Sequence, residues 1–491
     1  MPLFSIRKAK NISFMKKNRI FILVIFLCFF HAASAQYNSH KISLLGHWFN
    51  PSEPAEPFYG IKYQGLFGWA DTVNNKEYAI IGSGSGTYII DVSTPTNPIV
   101  SDFVLGRKNN CIWREYKTYG NYLYAISDDD PYNSFQIIDL SYLPDSVHVV
   151  HDDTTIFEFA HTLYIDGDKL YCSSVTLSGG SEYYSLAVYS LANPELPSLL
   201  RTLDEDDPAI SSVHDVFVRN DTVYASCGYQ GLFVYKFNDN NTFTPINSLT
   251  SYPDQGYNHS SSLTPNGHTL VFCDEVPRNM GVKIIDVSDL QNISVESTFK
   301  STEGATPHNP YIYSANRVVI AYFQDGLQIY DISNPANPIK TGYFDTDTID
   351  GVGNNYNIPN APYHGCWGAY VHLPSGIILA SDMQNGLFVL NADLALGINN
   401  LNDENNINNI NVNLFPNPIS NSLSMSFELK LSESLLFEIF DNKGCEITSK
   451  KEFLLAGNHT KTINVDKLSS GVYLLKITGN KTFFAKKIVK N

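Results

Sequence analysis

The chain has 491 residues, with 33 Lys and Arg against 49 Asp and Glu and a formal net charge of −16 at pH 7. That length exceeds one small core and allows two or more domains, and so acidic a surface repels a phosphate backbone, which argues against nucleic acid as a partner. The acidic excess lies between residue 37 and the region of residue 411; the first 36 residues hold six basic groups and no acid, and the last eighty carry more Lys than Asp and Glu together.

At the N-terminus, "MKKNRIFILVIFLCFFHAASAQ" joins a basic segment to the apolar run Ile20–Phe30 and the small-residue site Ala33-Ser34-Ala35. Residues 1–35 therefore read as a secretory signal, with Met15 giving it ordinary proportions. The competing reading is a membrane anchor, but the apolar run is shorter than the ~20 residues a span needs. No later segment could span a bilayer, so the mature chain is expected to lack a transmembrane helix. Six cysteines remain after Cys28 leaves: Cys111, Cys172, Cys227, Cys273, Cys366 and Cys445. None forms a CxxC pair, and most read as buried small apolar residues.

From residue 86 onward one phrase recurs in seven copies. They run from "GTYIIDVSTPTNPIVSDFV" (86–104) through "SFQIIDLSYLPDSVHVV", "SLAVYSLANPELPSLLRTL", "GLFVYKFNDNNTFTPINSLT", "GVKIIDVSDLQNISVESTF" and "GLQIYDISNPANPIKTGYF" to "GLFVLNADL" (386–394). Each is a β-branched or aromatic strand, a turn built on Asn or Pro, and usually a second strand. Another hairpin precedes each copy, so the unit holds four antiparallel strands, a to d. Repeats of this size with four strands predict a β-propeller. The seventh copy lacks its d strand, whereas "KISLLGHWF" (41–49) resembles a d strand without partners. The N-terminal strand is thus expected to complete blade seven and close the ring.

Phrases such as "IIDVSTPTNP" and "YDISNPANP" resemble the LVIVD repeat, and residues 37–394 resemble the propeller of the choice-of-anchor B family. That resemblance implies a secreted or surface-displayed propeller.

Aligned strand heads read "FGWADT", "CIWREY", "FAHTLY", "SVHDVF", "YNHSSS", "TPHNPY" and "GCWGAY". One column therefore holds Trp69, Trp113, His161, His214, His259, His308 and Trp367. In a propeller strand a is innermost, so the column should encircle one mouth of the channel. The same face carries the longer loops Asp128–Ser134, Thr176–Tyr184, Asp204–Val213, Val276–Met280 and Asp345–Tyr363, and function tends to lie on such loops. Three readings of the column stay open. The imidazoles bond backbone on a neighbouring blade, with Thr162, Asp215, Ser260 and Asn309 as polar partners. Alternatively, His161, His214, His259 and His308 supply ligands to zinc, copper or iron, although four positions spread over half a circle converge poorly. Thirdly, an organic or glycan ligand stacks on Trp69, Trp113 or Trp367.

Residues 395–411 are Asn-rich and read as a linker. Beyond them "LFPNPISNSLSMSFEL", "SLLFEIFDNKGCEI", "KTINVDKLSSGVYLLKI" and "KTFFAKKIVKN" alternate apolar residues with turns and predict a small antiparallel sandwich over 412–491. "FPNP", "LSSGVYLLKI" and the terminal "KKIVK" resemble the type A C-terminal sorting domain of the type IX secretion system. The resemblance implies export across the inner membrane by the signal, then delivery to the medium or the outer-membrane surface; the competing reading is an immunoglobulin-like accessory module. The acidic stretches "DDDPYNS" (128–134) and "DEDDP" (204–208) could attract calcium but depart from the EF-hand pattern, and they read as solvated loops. No G-x-S-x-G, H-E-x-x-H, P-loop or dinucleotide fingerprint is present. The expectation is an all-β, seven-bladed propeller with a C-terminal sandwich, exported as a binding protein for a glycan, protein or small molecule. The alternative is a metal-dependent extracellular enzyme on the histidine cluster.

Overall fold

The repeat phrases become hairpins because each packs apolar side chains on both faces. In the first sheet the strands Tyr63–Asp71, Lys76–Ser83, Gly86–Asp91 and Ile99–Leu105 pair antiparallel in chain order. A strand buried on both faces reads as a continuous apolar run rather than an alternating one. Accordingly Ile80 and Ile89 pack against Tyr116, Leu123 and Ile138 of the next sheet, while Ile81 and Ile90 pack against Leu379, Leu387 and Val389 on the other side. The computed structural model describes residues 37–129, 133–180, 182–347, 363–398, 408–410, 412–429, 432–441, 446–479 and 482–491. The expected signal at 1–35, much of the linker, Cys445, and central parts of the Asp128–Ser134 and Asp345–Tyr363 loops lie outside the described residues.

Among the described residues seven such sheets follow one another. Their innermost strands, Tyr63–Asp71, Arg114–Tyr119, Thr162–Asp166, Asp215–Arg219, Asn258–Leu263, Asn309–Ser314 and Cys366–Tyr370, touch in that order, and the last touches the first. The third strand commonly ends in an Asp whose carboxylate accepts the backbone N–H two residues on: Asp91 from Ser93 at 2.8 Å, Asp139 from Ser141 at 2.9 Å, and Asp286 from Ser288 and Asp331 from Ser333, each at 2.8 Å. This Asx turn reverses the chain into the outer strand. In all seven sheets the register slips between third and outer strand; such a bulge adds twist at the rim.

The seventh sheet takes its outer strand from the other end of the chain. Ser43–Trp48 pairs antiparallel with Gly386–Asn391, with His47 opposite Phe388 and Trp48 opposite Leu387, as the missing strand of the seventh repeat predicts. A second attachment was not visible in the sequence. Ser39–His40 pairs with Tyr343 and Phe344 on the rim of the sixth sheet, and Tyr37 packs between Phe344 and Phe388 at ring separations of 5.4 and 5.1 Å.

His47 places a titratable group inside this closing strand. Its Nε2 lies 2.7 Å from the Asn385 carbonyl and its ring stacks on Phe388 at 4.4 Å. Burial pushes its pKa below the ordinary 6.5, with the carbonyl contact opposing. The folded state therefore binds this proton less readily than the unfolded chain, so the stability that neutral His47 confers is complete above about 6.5 and is lost as pH falls toward the lowered folded value. Thermal melts should shift downward between about pH 7 and pH 5.5, with a shallower slope in His47→Gln. Identical slopes would exclude His47 as the source.

The C-terminal residues form two sheets. Glu446–Leu454, Glu433–Phe440, Gly471–Thr478 and Thr482–Lys490 lie side by side, with Asn408–Asn409 parallel to the last, and Asn413–Phe415, Ser422–Leu429 and Gly457–Asn464 make the other. Leu423, Met425 and Phe427 of the smaller sheet meet Phe437, Ile439, Leu475 and Ile477 of the larger in one apolar core.

Candidate functional site

Strand register decides which residues share the channel mouth. Thr162 pairs with Ser173, Asp215 with Ser226 and Asn309 with Ala321, so His161, His214 and His308 each stand one residue before an equivalent pairing; in the second sheet that pairing is Glu115 with Ile126, and Trp113 stands one residue further out. His259 and Trp367 sit at the irregularities that open Asn258–Leu263 and Cys366–Tyr370. Trp69 does not belong to this set. In the first sheet Tyr63 pairs with Ser83, which puts Lys62 in register with Trp113. The strand is nine residues long with a slip between Tyr63 and Leu66, and Trp69 lies near its far end. There its indole N–H donates to the Gly120 carbonyl at 3.2 Å and its ring packs on Tyr78. Aligning on the aromatic residue rather than on the pairing produced the misplacement.

The remaining six rings form a continuous arc. Ring centres are 4.1 Å apart for His161–His214 and for His214–His259, 4.4 Å for His259–His308, 4.6 Å for His308–Trp367 and 5.3 Å for Trp367–Trp113. They line a channel cavity of about 610 Å³, together with Glu115, Lys117, Asp128, Asp215 and Glu275.

Backbone carbonyls orient the imidazoles. Nδ1 of His214 lies 3.1 Å from the His259 carbonyl, and Nδ1 of His308 lies 2.5 Å from the Trp367 carbonyl. A carbonyl only accepts, so in both rings Nδ1 carries the proton and Nε2 keeps a bare lone pair. Neighbouring hydroxyls brace the same carbonyl row: Thr162 donates to the His214 carbonyl at 3.0 Å and Ser260 to that of His308 at 2.7 Å. Nδ1 of His259 has no hydrogen-bond partner among the described residues; the His308 carbonyl favours its protonated form from outside bonding geometry. His161 bonds instead through Nδ1 to the Asp128 carboxylate, and the Trp367 indole N–H donates to Glu115 at 3.1 Å.

Burial sets the electrostatics. It holds His214 and His259 well below the ordinary imidazole value, reinforced by the charge of adjoining imidazoles, and it lowers His308 to about 3. At His161 burial acts in the same sense, but the Asp128 carboxylate outweighs it and the net shift is upward. Burial also raises Glu115 and Asp215, with Lys117 opposing, and brings Glu275 up to about 7. Along the arc, burial thus favours the neutral form of His214, His259 and His308, whereas the neighbouring Asp128 favours the protonated form of His161.

The four histidines expected as a metal set do not converge as four. Among the described residues, the group of three whose ligand atoms all lie within 4.8 Å of one another is His214, His259 and Glu275. Glu275 was missed from sequence. It follows the second strand of its sheet directly, as Asp128 follows Tyr122–Ser127, and both acids face the imidazole arc. An acid at that exit was the available signal. Described carboxylates in both acidic loops bond to protein groups. Asp129 accepts from the backbone of Ile112 and Trp113. In the other loop Asp204 accepts from Ser185, Arg201 pairs with Glu205 and Asp206, and Tyr235 donates to Asp207.

Fold and site together define a β-propeller with a histidine-lined channel mouth and an appended C-terminal β-sandwich. The chain carries LVIVD repeats, matched at residues 74–105 and 314–346, and a secretion system C-terminal sorting domain, matched at residues 413–491. Each LVIVD match spans the three outer strands of one sheet and leaves the head of its innermost strand outside it. The sorting domain addresses the protein to the type IX secretion machinery and hence to the cell surface or the medium. No helix among the described residues is long and apolar enough to cross a membrane. No curated protein matches the chain. Similar solved structures include a protein from Lactobacillus plantarum, 10% identical with a TM-score of 0.47, covering 82% of this chain and 100% of its own. Another is the β-propeller domain of Cps50 (Swd1) from Myceliophteria thermophila, 11% identical with a TM-score of 0.46, covering 71% of this chain and 98% of its own.

Proposed function

We propose that this exported propeller is a binding protein that takes a small polar ligand, of saccharide size, into its channel from the imidazole face. The observation that carries this reading is the cavity of about 610 Å³ at the channel mouth, within the ~300–1,000 Å³ typical of small-molecule sites. Its wall combines indole and imidazole faces for stacking with carboxylates and bare imidazole nitrogens that accept hydrogen bonds from hydroxyls. The likeness of residues 37–394 to choice-of-anchor B propellers supports display at the cell surface. A glycan array probed with the full exported chain should return a small set of sugars, and Trp113→Ala should weaken their binding roughly tenfold or more while the melting temperature holds. Absence of enrichment on every sugar would remove the saccharide class. A second reading, a metal-dependent extracellular enzyme on the same face, is favoured by the approach of His214, His259 and Glu275.

A further inference from the structure

We infer that His214, His259 and Glu275 form a binding site for one divalent transition cation of the zinc type, with an open coordination position facing the channel. The inference rests on the reading of the imidazole face as the working site, and it narrows that site to the part of the arc between His161 and His308. Three independent observations carry it.

The donor set comes first. Two imidazoles and one carboxylate make a common three-ligand arrangement for catalytic zinc and for non-haem iron, both of which keep at least one position for water or substrate. The ligand atoms lie within 4.8 Å of one another, and His259 Nε2 stands 3.7 Å from Glu275 Oε2. Ligands on one tetrahedral zinc at ~2.0–2.1 Å are ~3.4 Å apart, so holding the ion requires the set to draw in by no more than about 1.4 Å.

The second observation is the tautomer of His214. A metal-bound histidine characteristically donates its other ring N–H to a carbonyl or carboxylate, which fixes the ring and raises its basicity. His214 does this through Nδ1 to the His259 carbonyl, leaving Nε2 for the cation.

The third is the state of Glu275. Its side chain is only 11% exposed, and its carboxylate makes no hydrogen bond among the described residues. The imidazole within 4 Å of it is His259, whose Nδ1 has no hydrogen-bond partner among the described residues. Burying a carboxylate without compensation is costly; a cation between Glu275, His259 and His214 supplies the missing charge. His161, by contrast, is already matched to Asp128, which explains why the site lies at the middle of the arc.

Elemental analysis and calorimetry on the full exported chain test this. After stripping with a chelator, titration with zinc chloride should show one equivalent bound per chain. His259→Ala and Glu275→Gln should each weaken that binding at least tenfold with unchanged melting temperature. His268→Ala, an exposed histidine in the Leu263–Thr269 turn, should leave it as in the native protein. Cobalt(II) loading gives a second readout: visible d–d absorption in the native chain, lost in His214→Ala. Absence of a saturating equivalent, or an equivalent that neither His259→Ala nor Glu275→Gln weakens, overturns the inference. The two readings fail separately. Trp113-dependent sugar binding by a chain that takes up no saturating zinc equivalent would sink the cation site and leave the binding role intact.

Discussion

Deleting Tyr37–Trp48 should abolish the cooperative thermal transition of the propeller or lower its midpoint by about 10 °C or more. The deletion strips the outer strand from the seventh sheet and the short second attachment from the sixth. It exposes the apolar surface under Ile42, in the core between those two sheets, and under Trp48, which reaches Tyr88 of the first sheet at 4.8 Å and Tyr63 at 5.9 Å. Buried Ile42 contributes on the order of 1.5–3 kcal/mol, and half-buried Tyr37, Leu45 and Trp48 contribute up to about that much each. Their sum is comparable with the ~5–15 kcal/mol that separates most folded proteins from their unfolded chains, and a few kcal/mol moves a midpoint by several degrees even in a large domain. A gentler variant isolates the clasp. A Cβ at Gly46 would stand 2.1 Å from the Pro95 carbonyl of the first sheet, so Gly46→Val should push the strand off its partner. Circular dichroism melts of both variants provide the check, and a native midpoint in both would mean that closure rests on the sheets alone.

That clasp also shows how far the sequence could be read. Its longer strand was legible because the seventh repeat ends without a partner while Lys41–Phe49 has the alternation of one. Ser39–His40 carried no such signal: two polar residues define no pattern, and only the completed ring brings them to the rim of the sixth sheet. The imidazole column followed the same logic. His161, His214, His259 and His308 recur at one place in the repeat, so equivalent pairing brings them together. Trp69 failed because an aromatic residue near the far end of a nine-residue strand, opposite Tyr78, has the composition of a strand head but not its pairing. Glu275 was hidden for a different reason. It belongs to no repeated phrase, and its meeting with His214 and His259 depends on how three loops and strands converge on the axis, which periodicity alone does not encode.

The largest functional effect is expected from the other end of the chain. Removing residues 413–491 should leave a folded propeller, with the signal cleaved, in the periplasm. Surface and medium fractions should lose at least about nine-tenths of the protein, because the sorting domain is what the type IX machinery recognises. The sandwich has its own core of Leu423, Met425, Phe437, Leu475 and Ile488, so its loss should not lower the propeller's melting temperature. A smaller cut sharpens the argument. Thr482–Lys490 pairs along its length with Gly471–Thr478, it buries Ile488, and its Val489 carbonyl accepts from the Ile419 backbone N–H at 2.7 Å. Deleting 482–491 alone therefore removes an inner strand of the larger sheet, and the remainder presents an apolar face to water. Export should fail as completely as with the whole domain gone. Immunoblots of periplasm, outer membrane and medium measure this, with a periplasmic marker to report lysis. Unchanged surface display in the 413–491 deletion would mean that another segment carries the export signal; display lost there but kept in the ten-residue truncation would place recognition in the strands before Thr482.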